Sequence, residues 1–258
     1  MQKGFRSTPW QKAAPWYNRI TGHGQGHYYH QHVIIPKVLN LLELNSKVKN
    51  NNIKLLDLAC GNGVLAKAIP EGVAYLGVDN APSLISEAKR TDRNQKHKYL
   101  VADITKPLAI PQDFTLITII LAIQNIENSI KAMQNASQHL IKNGILVMVL
   151  NHPAFRIPRQ SSWGIDDARK IQYRRVDKYI SPMQIPINMN PSDRNSPVTM
   201  SYHNPISAYS KMLKDAGFTI DLIEEWTSDK GSEGRAARME NRSRSEIPLF
   251  LAIKAIKT

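Results

Sequence analysis

Between Ile53 and Leu150 the chain repeats one pattern: a short apolar run, a turn, a helical stretch, and another apolar run. The runs are Ile53–Ala59, Val73–Val78, Lys98–Ala102, Phe114–Leu121 and Ile145–Leu150. Segments such as Phe114-Thr115-Leu116-Ile117-Thr118-Ile119-Ile120-Leu121 carry almost no polar interruption, as strands buried on both faces require. Strands alternating with helices make a parallel sheet covered by helices. Predicted helices span Gly63–Ile69, stopped by Pro70; Pro82–Arg90, with proline early; and Ser129–Lys142, closed by Asn143-Gly144.

The alternation breaks at Asn151. From there to about Asn204 the chain is rich in proline and basic residues, and too long to be an ordinary connection. It is read as an inserted cap, residues 151–204, with one or two β-hairpins around Arg174–Ile187 and Val198–His203. A helix Ile206–Ala216, a strand Phe218–Trp226, a polar and mobile loop Ser228–Ser245 and a last strand Ile247–Ala255 follow. Two strands joined without a helix imply an antiparallel final strand. The expected fold is thus a Rossmann-like α/β domain: seven strands, mostly parallel, in residues 47–258. Residues 1–46 are expected to form an N-terminal helical lid over the mouth of the site.

A length of 258 residues suits one such domain with an elaboration. The formal charge of +13 attracts anions: nucleic acid, acidic protein, phosphorylated metabolites or anionic lipid. It is scattered along the chain, so plain solubility explains it equally well. The single cysteine, Cys60, excludes an internal disulfide. The first residues lack the apolar core of a secretory signal. Leu116–Ile123 and Ile145–Leu150, the longest apolar runs, are too short to cross a bilayer. A cytoplasmic protein is expected.

The stretch Leu55-Leu56-Asp57-Leu58-Ala59-Cys60-Gly61-Asn62-Gly63 ends the first strand, where open α/β sheets bind ligands. Glycines there let backbone approach a ligand closely, and amides at a helix start favour an anionic group. A carboxylate at the end of the second strand, Asp79, stands where it can accept bonds from both ribose hydroxyls. Asp103-Ile104, ending the third, suits an adenine: the acid for the exocyclic amine, the isoleucine for the ring. The glycine pattern alone also fits a nicotinamide dinucleotide fingerprint. Asp57 ahead of the glycines, the acid at 103 and the final hairpin tip the balance.

These residues resemble the class I S-adenosylmethionine-dependent methyltransferases, with Ala59 where many members have glycine. The likeness covers Ile53–Leu150 well and the C-terminal helix and hairpin more loosely. It implies S-adenosylmethionine as cofactor. Ala59, Gly61 and Gly63 would line its methionine part, with Asp57 orienting the ammonium group. Asp79 and Asn80 would hold the ribose, Asp103 and Ile104 the adenine, and Leu121 would complete the wall. Cys60 reads as a small filler. Arg156–Gly164 and Ser245–Phe250 also resemble segments of an unassigned bacterial methyltransferase group.

Methyl transfer to oxygen or nitrogen benefits from a base, and the sequence offers two candidates. His30 lies in the crowded segment Gly26-His27-Tyr28-Tyr29-His30-Gln31-His32, and His152 follows the fifth strand. Tyr28, Gln124, Asn125 and Arg156 are the expected acceptor-binding residues. Arg156 and Arg159 would clamp an anion, unless they pair with Asp166 or Asp167. No acid or cysteine completes a metal site with the histidines, so no metal is expected. Arg169–Arg175 would follow a nucleic-acid backbone or form a solvated ribbon. A small-molecule acceptor is the leading expectation. RNA methylation is the second, although no Asn-Pro-Pro-Tyr motif follows the fourth strand. A protein acceptor and a non-catalytic cofactor-binding scaffold complete the set. The sequence does not set the oligomeric state.

Overall fold

The computed structural model describes residues 8–44, 52–190, 193 and 195–258, so the expected boundary at residues 46 and 47 lies outside the described residues. Seven strands form the main sheet: β1 (Lys54–Leu58), β2 (Ala74–Asp79), β3 (Lys98–Val101), β4 (Phe114–Ile120), β5 (Leu140–Asn151), β10 (Phe218–Trp226) and β11 (Phe250–Lys257). Their order is β10-β11-β5-β4-β1-β2-β3. Only β11 runs antiparallel, between β5 and β10. The mostly parallel sheet with an antiparallel final strand is therefore as expected.

Residues of period two sort the core into two layers. From β1, β4, β5 and β11, Leu56, Leu58, Ile117, Ile119, Leu146, Met148, Leu251 and Ile253 face one side. There they meet Ala132, Met133 and Ala136 of helix α4 (Ser129–His139) and Tyr209 and Leu213 of α5 (Ile206–Asp215). Leu55, Leu116, Val147, Val149 and Ala252 face the other side. Val38 and Leu41 of α2 (Ile35–Leu41) cover them, together with Leu65 and Trp226. Asp57 and Thr118 alternate onto this second face, and the register sets them directly opposite.

Several expected elements differ. Gly63–Ile69 forms turns and a short 3-10 segment, Ala66–Ala68, instead of an α-helix. Gly61 and Gly63 both adopt left-handed φ, 56° and 77°, which an α-helix does not tolerate. The field of a helix start is therefore missing from the glycine turn. Helix α4 stops at His139, because Leu140 is already extended and pairs with Phe114 of β4. Asn143, left-handed at φ 61°, sits in the irregular start of β5 and caps nothing. The segment expected to be a mobile loop contains α6 (Ala237–Glu246). Few apolar residues mark it. It is anchored by Ser243 Oγ donating to Gln172 Oε1 at 2.5 Å.

The insertion after β5 makes two hairpins, β6 (Ser161–Asp166) with β7 (Ile171–Val176) and β8 (Met183–Asn188) with β9 (Val198–His203). The hairpin expected around Arg174–Ile187 is divided between them: its first part belongs to β7 and its second to β8, with Pro182, which has no amide hydrogen to donate, in the break. At the N-terminus, α1 (Pro9–Ile20) begins with Thr8 accepting from the Gln11 amide and packs on α3 (Pro82–Thr91). A glycine-rich loop then leads to a π-helical segment, His30–Ile34, that runs into α2.

Ile117, fully buried in β4, is the simplest test of the sheet face that α4 and α5 cover. Ile117→Ala should cost about 3 kcal/mol in chemical denaturation. A loss below about 1 kcal/mol would mean that this face of the strand is not covered.

Candidate functional site

The carboxyl ends of β1 and β2 meet in one tight arrangement. After β1 the chain turns at Ala59, whose φ of 59° is left-handed. The Cys60 amide donates to the carbonyl of Val78, at 3.0 Å. The Gly61 amide donates to Asp79 Oδ2 and the Ala81 amide to Asp79 Oδ1, each at 2.9 Å. Asp79 thus ties the glycine turn to the start of α3. Burial pushes its carboxyl pKa up, and the amides of Ala81, Gly61 and Asn80 oppose that.

Asp57 is 3% exposed. Its Oδ1 accepts from Thr118 Oγ1 and its Oδ2 from Tyr75 Oη, each at 2.8 Å. Thr118 is its register partner on β4, and Tyr75 stands on β2 on the same face. Burial raises the Asp57 carboxyl to about 6 despite these two bonds, and the charge of Asp79 adds to the rise. No cation pairs with it among the described residues.

Asp57, Ala59, Cys60, His30, Tyr17 and Ile120 line one recess. Tyr17 reaches it from α1: a Cβ added at Gly61 would stand 3.4 Å from its ring. Trp10 meets Tyr17 edge-on, with centroids 5.7 Å apart. The loop from Thr21 to His27 closes over the glycine turn. Asn62 Nδ2 donates to Asn18 Oδ1 at 2.9 Å and to Thr21 Oγ1 at 2.7 Å. A Cβ at Gly24, where φ is +89°, would stand 2.9 Å from the Asn62 carbonyl oxygen, so only glycine fits there. His23 Nδ1 bonds Glu87 Oε1 at 2.5 Å, a second latch from this loop to α3. Burial also pushes the Cys60 thiol up, away from the reactive thiolate.

The two histidines differ. His30 is 5% exposed, and its Nδ1 is buried with no partner. Burial first, then His27, lowers its pKa to about 3. His152 has both ring nitrogens engaged. Nε2 bonds Glu225 Oε1 at 2.6 Å, and Nδ1 accepts from the Ala154 amide at 3.2 Å. That pattern leaves no free lone pair for a proton.

The remaining expected residues lie further apart. Asp103 accepts from the amide and hydroxyl of Thr105, at 3.0 and 2.7 Å, and pairs with Lys106 at 3.2 Å. Burial pushes its pKa up, but these contacts win and hold it below the usual range. Ile104 turns its side chain into the core. Leu121 is left-handed at φ 52°, its amide donating to Val149. Gln124 Nε2 donates to the Asn151 carbonyl, and Asn125 Nδ2 to that of Leu121, so both amides brace the ends of β4 and β5. Tyr28 is exposed and donates to Asp229. Arg159 donates to the Pro186 carbonyl, and Asp166 pairs with Arg169, so the alternative pairing of Arg156 or Arg159 with Asp166 does not form. Sequence reasoning missed Tyr17, Tyr75 and Thr118 as parts of the site. Thr118 carried a signal: a polar residue in the middle of a fully buried run.

The residues fit an adenosyl sulfonium cofactor on this structure's own terms. A buried carboxylate without a cation calls for a positive group. The orphaned Nδ1 of His30 calls for a hydrogen-bonding partner in the same recess. The glycine turn gives backbone access beside both. Such a fold and site define an S-adenosylmethionine-dependent methyltransferase. The methyltransferase-domain family model matches residues 27–223, and the chain belongs to that family. No curated protein matches the chain.

Solved structures share the fold. An S-adenosylmethionine-dependent methyltransferase from Mesorhizobium loti superposes with a TM-score of 0.66 at 21% identity, covering 84% of this chain and 96% of its own. One from Clostridium acetobutylicum gives 0.61 at 20% identity, covering 94% and 99%. A glycopeptide N-methyltransferase, MtfA, solved with S-adenosylmethionine, gives 0.54 at 14% identity, covering 85% and 93%.

Two predictions follow from the geometry. A left-handed alanine costs about 1–2 kcal/mol, and glycine's extra unfolded-state freedom costs about 0.4–1 kcal/mol. Ala59→Gly should therefore stabilise the protein by roughly 0.5–1 kcal/mol, read as a higher Tm. A lower Tm would place the strain elsewhere. The second concerns pH. A carboxyl raised to about 6 in the free protein is protonated below that pH and then offers a cation nothing. S-adenosylmethionine should bind about tenfold more weakly at pH 5 than at pH 7, with proton release on binding near pH 6. For folding the sign is opposite: Asp57's contribution in the free protein is present at low pH and lost as pH rises through about 6. Calorimetry in buffers of different ionisation enthalpy reads the proton, and a pH-independent affinity would remove Asp57 from the cation's side.

Proposed function

We propose that the chain transfers the methyl group of S-adenosylmethionine to a small-molecule acceptor. The observation that carries this reading is the cover. Residues 17–26 lie over the glycine turn, with the Tyr17 ring against Gly61, and are held there by Asn62 and Glu87. A recess under a latched segment suits a small acceptor that can be shielded from water.

The cofactor supplies a methyl group already activated by the positive charge on sulfur. What the protein adds is placement and dryness. In this proposal Asp57 faces the ammonium end and Asp79 the ribose, using the lone pairs its two amide bonds leave free. Asp103 edges the adenine, whereas Ile104, turned into the core, offers it no side chain. His30, neutral down to about pH 3, is too weak a base to take a proton and instead accepts a hydrogen bond at Nδ1. His152 is a brace between β5 and β10. The acceptor therefore brings its own nucleophile in reactive form, and the protein aligns it.

Incubating the purified chain with host extract and methyl-labelled S-adenosylmethionine tests this, with products sorted by size after nuclease or protease treatment. Label should appear in material that neither enzyme alters. Label that nuclease releases would replace this reading with RNA methylation. Asp79→Ala should weaken cofactor binding at least a hundredfold by calorimetry. Wild-type affinity in that variant would overturn the ribose assignment.

A further inference from the structure

We infer that the acceptor carries an anionic group, a carboxylate or phosphate, seated between Arg156 and Lys230 beside the ring of Tyr29. This rests on the small-molecule reading above and names its substrate class.

Arg156 follows β5, its amide donating to the His152 carbonyl at 2.8 Å. Its guanidinium has no hydrogen bond or ion pair among the described residues. The other described arginines of the insertion are engaged. Arg159 holds the Pro186 carbonyl, Arg169 pairs with Asp166, and Arg175 bonds Asp177. Arg174 donates to the Phe155 carbonyl at 2.7 Å and to Ser161 Oγ at 2.7 Å. Arg156 is thus a free fork beside a guanidinium already held by its neighbours.

Lys230 comes from the loop after β10. Its Nζ stands 4.3 Å from the centre of the Tyr28 ring and 5.1 Å from that of Tyr29, without a carboxylate partner. Tyr29 joins the two cations. Its ring packs edge-on against Phe250, centroids 5.7 Å apart, and its hydroxyl meets Ser228 Oγ at 3.1 Å. Phe250 pairs in register with Asn151, and the His152 amide donates to the Leu249 carbonyl. The turn bearing Arg156 therefore adjoins Tyr29 on one flank, and Lys230 adjoins it on the other.

The seat lies beside the cofactor recess. His30, the residue after Tyr29, lines that recess, and its buried Nδ1 lacks a partner. The His27 ring packs against both, with centroids 4.0 Å from His30 and 6.2 Å from Tyr29. Two acids are near. Asp229 accepts from Tyr28 Oη at 3.1 Å, and Glu225 accepts from His152. Neither pairs with Arg156 or Lys230. Two unneutralised cations held around an aromatic ring repel each other until an anion arrives, and a guanidinium fork matches carboxylate and phosphate geometry.

The full chain, loaded with S-adenosylhomocysteine, should be titrated with inorganic pyrophosphate and with malonate by calorimetry. We expect saturable binding of at least one, weakened tenfold or more by Arg156→Ala and by Lys230→Ala. Arg169→Ala, outside the seat, should leave it unchanged. The tighter of the two probes names the anion. Overturning results are indifference to both anions, or an equal effect of Arg156→Ala and Arg169→Ala. The labelled product from the extract should bind an anion exchanger at neutral pH. A small labelled product without negative charge would overturn the seat while leaving the methyltransferase reading intact. Label confined to RNA or protein would overturn that reading, and the titration would still decide the seat.

Discussion

Two amide hydrogen bonds to one carboxylate organise this molecule. Asp79 ends β2, yet its oxygens hold the amides of Gly61, in the turn after β1, and of Ala81, at the start of α3. Without that brace the turn would be a free glycine-rich loop, costing entropy to order on each binding event. With it, backbone from two strand ends is set in place before any ligand arrives. The left-handed residues Ala59, Gly61 and Gly63 are strain or freedom that this bracing makes tolerable.

Asp57 depends on the same frame from the other side. Strand register alone brings Thr118 and Tyr75 to its two oxygens. Two neutral donors do not offset the burial of a full charge, which is why its carboxyl titrates near 6 and not near 4. Such a site is underneutralised by design of its neighbours, and it rewards a cation more than a neutral ligand.

How far the residues announced this differs by scale. Period-two and uninterrupted apolar runs displayed every strand of the main sheet, because burial on one or both faces leaves a mark on each residue. The glycine turn and the strand-end acids were also legible, since open α/β sheets bind ligands at those ends. Helix limits were not. Gly61 and Gly63 looked like the opening of a helix but use left-handed conformations, and Leu140 was drawn out of α4 by pairing with Phe114. Helix α6 hid because its anchors are polar and distant: Ser243 holds Gln172, seventy-one positions away. The histidines were ambiguous for the same reason. Nothing near His152 in sequence hints at Glu225, seventy-three positions on, which takes its Nε2.

That ambiguity bears on how catalysis is arranged. A histidine next to a reacting centre suggests a base, but a base needs a free lone pair and a pKa near the working pH. His152 fails on the first count and His30 on the second. A buried neutral imidazole with one orphaned nitrogen is nevertheless costly to keep, because it has given up water without gaining a partner. The cost makes sense if a bound molecule supplies the missing donor. His30 then acts as a fixed hydrogen-bond acceptor whose charge stays at zero throughout the working range. That constancy suits a pocket built around a sulfonium, where an added proton on the imidazole would repel the group the pocket exists to hold.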